Sequence, residues 1–192
     1  MADFAPRKTL VRMPPVQTGA AGDGFALQSE PFLGVTSVRV LATDPDSWFL
    51  ETLGIAAPAP CSEIEAGPIA CAWLAPGEWL MTGAEDKVML VANRCVDAAG
   101  EAALVTDLSH GRASFLLSGP ASRDALAAHC PLDLSDRALP VGSAVRSVFG
   151  ETRFFLSRKP DRAYAPVFRL IFDQTMAPYA LRMFGGSRQR QA

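Results

Sequence analysis

Residues 69–82 read IACAWLAPGEWLMT and decide the fold, because they describe a β-hairpin. Two apolar runs, Ile69 to Leu74 and Trp79 to Thr82, flank the residues APGE. A Pro-Gly pair between two such runs is typical of a tight turn, since proline presets one backbone angle and glycine tolerates the left-handed region. The stretch therefore predicts two strands that are antiparallel neighbours in a sheet.

The residues after this hairpin change to a helical pattern. From Lys87 to Ala99 the apolar side chains recur three and four positions apart, on a face made of Val88, Val91, Ala92, Cys95, Val96 and Ala99. Asp86 is the predicted cap at the start of this helix, and Gly100 ends it. The region as a whole predicts a strand–strand–helix unit.

Strands and single helices alternate in both directions from this unit. Strands are predicted over residues 32–43, 103–108, 113–117, 144–149, 153–157 and 167–172. Helices are predicted from Asp44-Pro45 to Gly54, over 118–130 and over 175–184, whereas 55–68, with its three prolines, is predicted to be loop. The fold class predicted is therefore α+β, with a mainly antiparallel sheet and flanking helices.

The length of 192 residues suits a single domain, which we place at residues 25–186. Residues 1–24 are rich in Pro, Gly and Ala and are predicted to be a flexible N-terminal arm. Residues 187–192 are predicted to be a basic tail.

The composition excludes several classes of protein. With 49% hydrophobic and 20% charged residues the chain is neither disordered nor fibrous, and no apolar run reaches the ~18–20 residues of a membrane span. The basic N-terminus lacks the apolar segment of a secretory signal. Four scattered cysteines without a CxxC pair predict reduced core thiols and no metal site. We expect a cytoplasmic protein that does not contact a membrane.

The charge is divided unevenly along the chain. Residues 1–144 carry 9 Lys and Arg against 17 Asp and Glu, whereas residues 145–192 carry 9 against 3. Folding that brings the two parts together explains this division more simply than an anionic partner does. Nucleic-acid binding is not expected, because the whole chain is acidic and its basic residues form no aromatic binding motif.

Few residues have the types and spacing of a chemical site. Asp107, Ser109 and His110 form the one close group of hydrolase residue types, but neighbours in a turn rarely form an in-line relay, so Asp107 and Ser109 are predicted to bond turn amides. Trp73 and Trp79 lie on facing strands and could stack on a pterin or flavin, although packing in the core is the stronger interpretation. No catalytic residue is predicted.

Three segments resemble a known family. Thr106 to Ala113 (TDLSHGRA), continued by LSGPASRDAL at 117–126, is similar to a strand and the segment after it in the folate-binding aminomethyltransferase superfamily. Cys130 to Leu134 (CPLDL) and Trp73 to Leu80 (WLAPGEWL) resemble segments of the gamma subunit of heterotetrameric sarcosine oxidase. The closing strand and helix match less closely, departing at Gln174 to Met176.

This resemblance implies a fold like the folate-binding domain of aminomethyltransferases and an accessory, non-catalytic role in an oxidoreductase complex. In that family the complex demethylates sarcosine to glycine, passing the one-carbon unit to tetrahydrofolate and electrons to oxygen. The resemblance places FAD, FMN, NAD and tetrahydrofolate in the partner subunits, which are of alpha, beta and delta type. The expected contact residues in this chain are Arg169, Arg182 and Arg188, together with the N-terminal arm.

Two other interpretations stay open. The chain could be a free-standing folate or flavin binder of the same superfamily, with a pocket among Trp73, Trp79, Asp107, Ser109 and His110. It could also be a structural module that kept the fold without its complex.

Overall fold

Eleven strands and four helices form the chain in a computed structural model that describes residues 17–18, 24–100 and 102–185. The strands are β1 Gln17–Thr18, β2 Ala26–Ser29, β3 Leu33–Val40, β4 Glu63–Ala66, β5 Ile69–Ala75, β6 Glu78–Ala84, β7 Ala103–Asp107, β8 Arg112–Ser118, β9 Ala144–Phe149, β10 Thr152–Arg162 and β11 Ala165–Asp173. The helices are α1 Pro45–Leu53, α2 Glu85–Ala99, α3 Ser122–Ala127 and α4 Ala177–Gly185. Short 3-10 turns lie at Ser109–Gly111 and Gln174–Met176.

The strands form two sheets in which every pair is antiparallel. The six-stranded sheet has the order β1-β2-β8-β11-β10-β9, and the five-stranded sheet has the order β4-β5-β6-β3-β7. This confirms the α+β class with antiparallel pairing. The predicted β5–β6 hairpin is also confirmed, with Trp73 directly opposite Trp79.

Three apolar clusters show how the layers are stacked. One lies between the five-stranded sheet and helices α1 and α2, around Val38, Phe49, Trp79 and Cys95. A second lies against the far face of the six-stranded sheet and includes residues of α3 and α4. The third and smallest lies between the two sheets. Because side chains of a strand point alternately to its two faces, each sheet supplies one face to its helices and one to the other sheet.

The short helix α1 follows the predicted signals closely. Asp44 Oδ1 accepts a hydrogen bond from Ser47 N at 3.1 Å, and Pro45 stands at the first helical position. Gly54 adopts a left-handed conformation with φ +75° and donates its N–H to Leu50 O at 2.8 Å, which closes the helix.

Three local predictions are wrong. Residues 63–66 form β4 against β5, because a long-range partner outweighs the neighbouring prolines. Helix α2 begins at Glu85 without a side-chain cap, and Asp86 instead pairs with Lys87 at 3.1 Å. The helix predicted over 118–130 is limited to Ser122–Ala127, since Gly119 has φ +116°, which a helix does not permit.

The predicted termini fall mostly outside the described residues. Of the N-terminal arm at 1–24, Gln17–Thr18 pairs with Leu27 and Gln28 of β2, and Gly24 precedes that strand. The basic tail at 187–192 lies outside the described part of the chain. Between residues 24 and 185, apart from position 101, no helix is long and apolar enough to cross a membrane.

Candidate functional site

The space between the two sheets has an apolar centre and two different ends. Val35, Ala72, Leu80, Ala144, Phe155 and Ile171 form the centre, and all are buried. Each lies on a different strand, and because side chains alternate between the two faces of a strand, the residues beside each of them in sequence point toward the helices. On both sides of this apolar centre, the next side chains of β10 and β11 that point between the sheets are charged or polar.

One end holds an ion-pair network around Arg169. Its Nε and Nη2 each donate to a carboxylate oxygen of Glu30 at 2.9 Å, and its Nη1 donates to Thr82 Oγ1 of the other sheet at 3.2 Å. Ser114 Oγ also donates to Glu30, at 2.7 Å. The side chains of Arg169 and Glu30 are only 14% and 16% exposed, so this two-pronged ion pair is largely shielded from water.

A second ion pair lies at the same end, at the edge of the five-stranded sheet. Lys159 Nζ on β10 contacts Glu63 Oε1 on β4, and Glu65 Oε1 lies 3.3 Å away. The Lys159 side chain is 12% exposed and that of Glu63 is 3% exposed. Glu63 Oε2 has no hydrogen-bond partner among the described residues, so the Glu63 carboxylate depends on Lys159 for most of its charge compensation. A cavity of about 420 Å³ borders Glu30, Lys159 and Arg169, so this end is distinguished by its paired charges and not by a lack of space. We call Glu30, Glu63, Lys159 and Arg169 the closed end, because each of these charges is met by another within the chain.

The other end is an open cleft of about 860 Å³. Two hairpins form its sides: β5–β6, which supplies Leu74, Glu78 and Leu80, and β9–β10. The end of β11 completes it with Ile171 and Asp173. This volume lies within the ~300–1,000 Å³ typical of ligand pockets. We call it the open cleft.

The charges that line the open cleft are only partly compensated. Arg112 pairs with Asp173 at 3.0 Å, and Arg146 Nη2 donates to the main-chain oxygen of Leu74 at 3.0 Å. The Arg153 guanidinium makes no hydrogen bond or ion pair within the described part of the chain, although its main-chain oxygen accepts from the Thr152 hydroxyl at 3.4 Å. The Thr175 hydroxyl, the Thr175 amide and then Arg112 lower the pKa of Asp173, so its carboxylate is charged at neutral pH.

Both hairpin turns beside the cleft are held in place. Glu151 N, in the β9–β10 turn, donates to the Tyr179 hydroxyl of α4 at 3.2 Å. Gly150 has φ +55°, and a Cβ atom there would overlap that hydroxyl. In the β5–β6 turn Gly77 has φ +71°, and a Cβ would lie 3.0 Å from Val40 O. Each side of the cleft is therefore anchored to a neighbouring element.

Asp107 and Ser109 bond within their own turn, as their spacing suggested. Asp107 Oδ1 accepts hydrogen bonds from Ser109 N at 2.9 Å and from Ser109 Oγ at 2.6 Å. Ser109 Oγ accepts from Val35 N at 3.0 Å, which ties the turn to β3. His110 is exposed and lines a small cavity beside this turn. The three side chains form no relay, because the serine hydroxyl is directed to the carboxylate and main chain.

The structure does not bring the two tryptophans to this turn. Trp79 is buried and Trp73 partly buried in the core beneath α1 and α2, where Trp79 packs 4.8 Å from the Phe49 ring. Ser109 and His110 line a cavity with Val35, whose side chain lies between the sheets. The five candidate pocket residues are therefore divided between two faces of the five-stranded sheet.

The three arginines expected at a partner interface have different surroundings. Arg169 is engaged inside the chain at the closed end. Arg182 is exposed near the end of α4. Arg188 lies outside the described residues.

The sequence carried one signal for the residues that line the open cleft. Arg146 and Val148 are two positions apart on the strand predicted over residues 144–149, so their side chains lie on the same face of it.

The described residues contain no group of three or more His, Cys, Asp or Glu placed to hold a metal ion. Three of the four thiols are buried. Burial raises the pKa of Cys71 well above the usual thiol range and that of Cys95 to about 11. Cys71 and Cys95 are therefore uncharged at neutral pH, and both pack in the core beneath α1 and α2.

Comparison with protein families gives a match over most of the chain. Residues 35–180 match the model of the "Sarcosine oxidase, gamma subunit family". Sarcosine oxidase subunit gamma from Arthrobacter sp. is 32% identical over 125 residues, which are 64% of this chain and 61% of that protein. The subunit gamma from Corynebacterium sp. (strain U-96) is 30% identical over 125 residues, 63% of this chain and 60% of that protein. The matched region thus spans about three fifths of these relatives.

Solved structures share the fold. A chain of heterotetrameric sarcosine oxidase from Corynebacterium sp. U-96, in complex with pyrrole 2-carboxylate, superposes with a TM-score of 0.74 at 23% identity, covering 86% of this chain and 84% of that chain. The glycine cleavage system aminomethyltransferase T from Bartonella henselae gives 0.63 at 14% identity, covering 83% of this chain and 45% of that one. The expected likeness to the aminomethyltransferase fold is confirmed.

Proposed function

Because the chain belongs to the sarcosine oxidase gamma subunit family, we propose that it is a non-catalytic, gamma-type subunit of a heterotetrameric sarcosine oxidase complex. The observation that carries this proposal is the extent of the family match. Residues 35–180 run from β3 into α4 and so include the five-stranded sheet, most of the six-stranded sheet and the space between them. A match to one family's sequence pattern over this length supports a shared role better than the fold alone, since one fold can carry many unrelated functions.

In this proposal the reaction belongs to the partner subunits. They oxidise sarcosine to glycine, pass the one-carbon unit to tetrahydrofolate and deliver electrons to oxygen. FAD, FMN, NAD and tetrahydrofolate are held by subunits of alpha, beta and delta type in the cytoplasm. The separation of Trp73 and Trp79 from Ser109 and His110 supports this division of roles, since these side chains form no shared ligand pocket.

Arg188 and the N-terminal arm stay proposed partner contacts, and among the described residues the predicted arginine proposed to touch a partner directly is Arg182. Its side chain is exposed on α4, where a carboxylate of another subunit could reach it. Arg169 is proposed to support assembly only through the fold of this chain, because its guanidinium already bonds Glu30 and Thr82.

Affinity purification of the tagged chain from its native cells tests this proposal. We expect large flavin-containing subunits to be recovered, with a flavin absorbance band and peroxide production that depends on added sarcosine. A parallel purification from cells with the untagged chain controls for nonspecific capture. Recovery of the chain alone, folded and monomeric, would contradict the accessory role.

A further inference from the structure

Strand β9 is an edge strand whose outer side meets residues 61–62 at its start, whereas the outer main-chain N–H groups of Arg146 and Val148 are available. It pairs only with β10 in the six-stranded sheet. Ala144 N points away from β10, because it donates to Cys61 O at 2.9 Å. Alternation along a strand then directs the N–H groups of Arg146 and Val148 outward as well. Neither has a main-chain partner on that side within the described residues.

The side chains of the same two residues line the open cleft. Arg146 is opposite Phe155 and Val148 is opposite Arg153, so the hairpin presents an arginine and an apolar side chain on each strand. Val148 is 44% exposed, which is high for an apolar residue beside a core. The Arg146 guanidinium uses one donor on Leu74 O and retains others, since a guanidinium has five.

The remaining charged groups around the cleft set its polarity. Arg112 is compensated by Asp173. Glu78 is the first residue of β6 and Glu151 lies in the β9–β10 turn, so both carboxylates stand beside hairpin turns. Arg146 and Arg153 lie within strands. A polypeptide or ligand that lies along β9 therefore contacts the cations and apolar side chains of β9 and β10, and the carboxylates of Glu78 and Glu151 lie at the turns.

We propose that the open cleft is the docking site for an extended segment of a partner subunit. The segment adds a strand to the edge of β9 and places an acidic side chain near Arg146 and Arg153 and an apolar one near Val148. This inference rests on the proposed function, because the segment comes from another subunit of the complex. The volume alone would suit a small molecule, but the available strand edge beside it favours a polypeptide.

Coexpression with the partner subunits, purified through a tag on a partner, tests the docking site. Arg153→Glu places an anion where the proposed acidic side chain of the partner would lie. Val148→Glu places an anion where the proposed apolar side chain of the partner would lie. Each is expected to weaken copurification about tenfold or more. Arg137→Glu and Val96→Glu are the matched controls, because both residues are exposed and do not line the open cleft. Far-ultraviolet circular dichroism of each free variant checks that it folds.

A photo-crosslinking residue at position 148 identifies the occupant in the assembled complex. We expect a cross-link to a partner subunit and amide exchange of Arg146 and Val148 that is at least about tenfold slower than in the free chain. A cross-link to a second copy of this chain, a cross-link to no protein, or unchanged exchange would overturn the docking site.

The outcomes separate the two proposals. If the unmodified chain fails to copurify with the partner subunits, the proposed function fails and the docking site fails with it. If the unmodified chain copurifies and both cleft variants do so equally well, only the docking site is overturned.

Discussion

At the closed end, Lys159 and Arg169 each contact a carboxylate of this chain, whereas at the open cleft Arg146 reaches a main-chain oxygen and Arg153 reaches no group in the part of the chain described. Both ends carry arginine or lysine on neighbouring strands of the same sheet. They differ in their partners, because Glu63 projects from β4 to Lys159 and Glu30 follows β2 to reach Arg169. The comparison shows that the cations at one end are compensated by carboxylates of this chain, whereas at the open cleft only Arg112 is, through Asp173.

The largest effect is expected from breaking the more buried ion pair. Lys159→Met leaves the 3% exposed Glu63 carboxylate without its cation, which should lower the free energy of unfolding by about 3 kcal/mol. Urea denaturation of the free chain measures this change. The double variant Glu63→Met, Lys159→Met should recover most of the loss. An unchanged midpoint for Lys159→Met would mean that the pair does not hold the closed end.

The next effect concerns the anchored turn of the open cleft. Gly150→Ala places a Cβ against the Tyr179 hydroxyl and forces a non-glycine residue to φ +55°, so we expect a loss of about 2 kcal/mol. Gly54→Ala is the control, because Gly54 has φ +75° with no atom within 4 Å of its Cβ position, and should lose about 1 kcal/mol. Equal losses in urea denaturation would show that the Tyr179 contact does not constrain the turn.

A smaller effect is expected from Arg169→Lys, which keeps the charge at the closed end but removes the two-pronged contact with Glu30. The loss of a charge-assisted hydrogen bond should lower the unfolding free energy by about 1.5 kcal/mol. Arg182→Lys, at an exposed position on α4, should change it by less than about 0.5 kcal/mol. Thermal denaturation of both variants tests the difference, and indistinguishable midpoints would contradict it.

The smallest effect on stability is expected at the open cleft. Arg153→Ala and Val148→Ala should each change the unfolding free energy by less than about 0.5 kcal/mol, because neither side chain is held by a polar contact and both are exposed. Urea denaturation measures each value. A loss near that of Lys159→Met would mean that the cleft residues stabilise the free chain, and the contrast between the two ends would disappear.

Much of the local structure follows from the sequence. The Pro-Gly turn between two apolar runs identifies the β5–β6 hairpin, and Asp44, Pro45 and Gly54 identify both ends of α1. The turn role of Asp107 and Ser109 was also predictable. In each case the deciding interaction joins residues that are close in the chain, so the residue types alone carry the information.

Only the tertiary structure decided how the strands are shared between the sheets and which charges meet. Strands β7 and β8 are joined by a short turn, yet they belong to different sheets. Arg169 and Glu30 are 139 positions apart, and Lys159 and Glu63 are 96 apart. Propensity and periodicity act over a few residues, whereas sheet pairing and buried ion pairs depend on segments that meet only after folding. The sequence by itself therefore determined the family of this protein and those elements whose signals are local, whereas contacts between distant segments decided β4, the closed end and the open cleft.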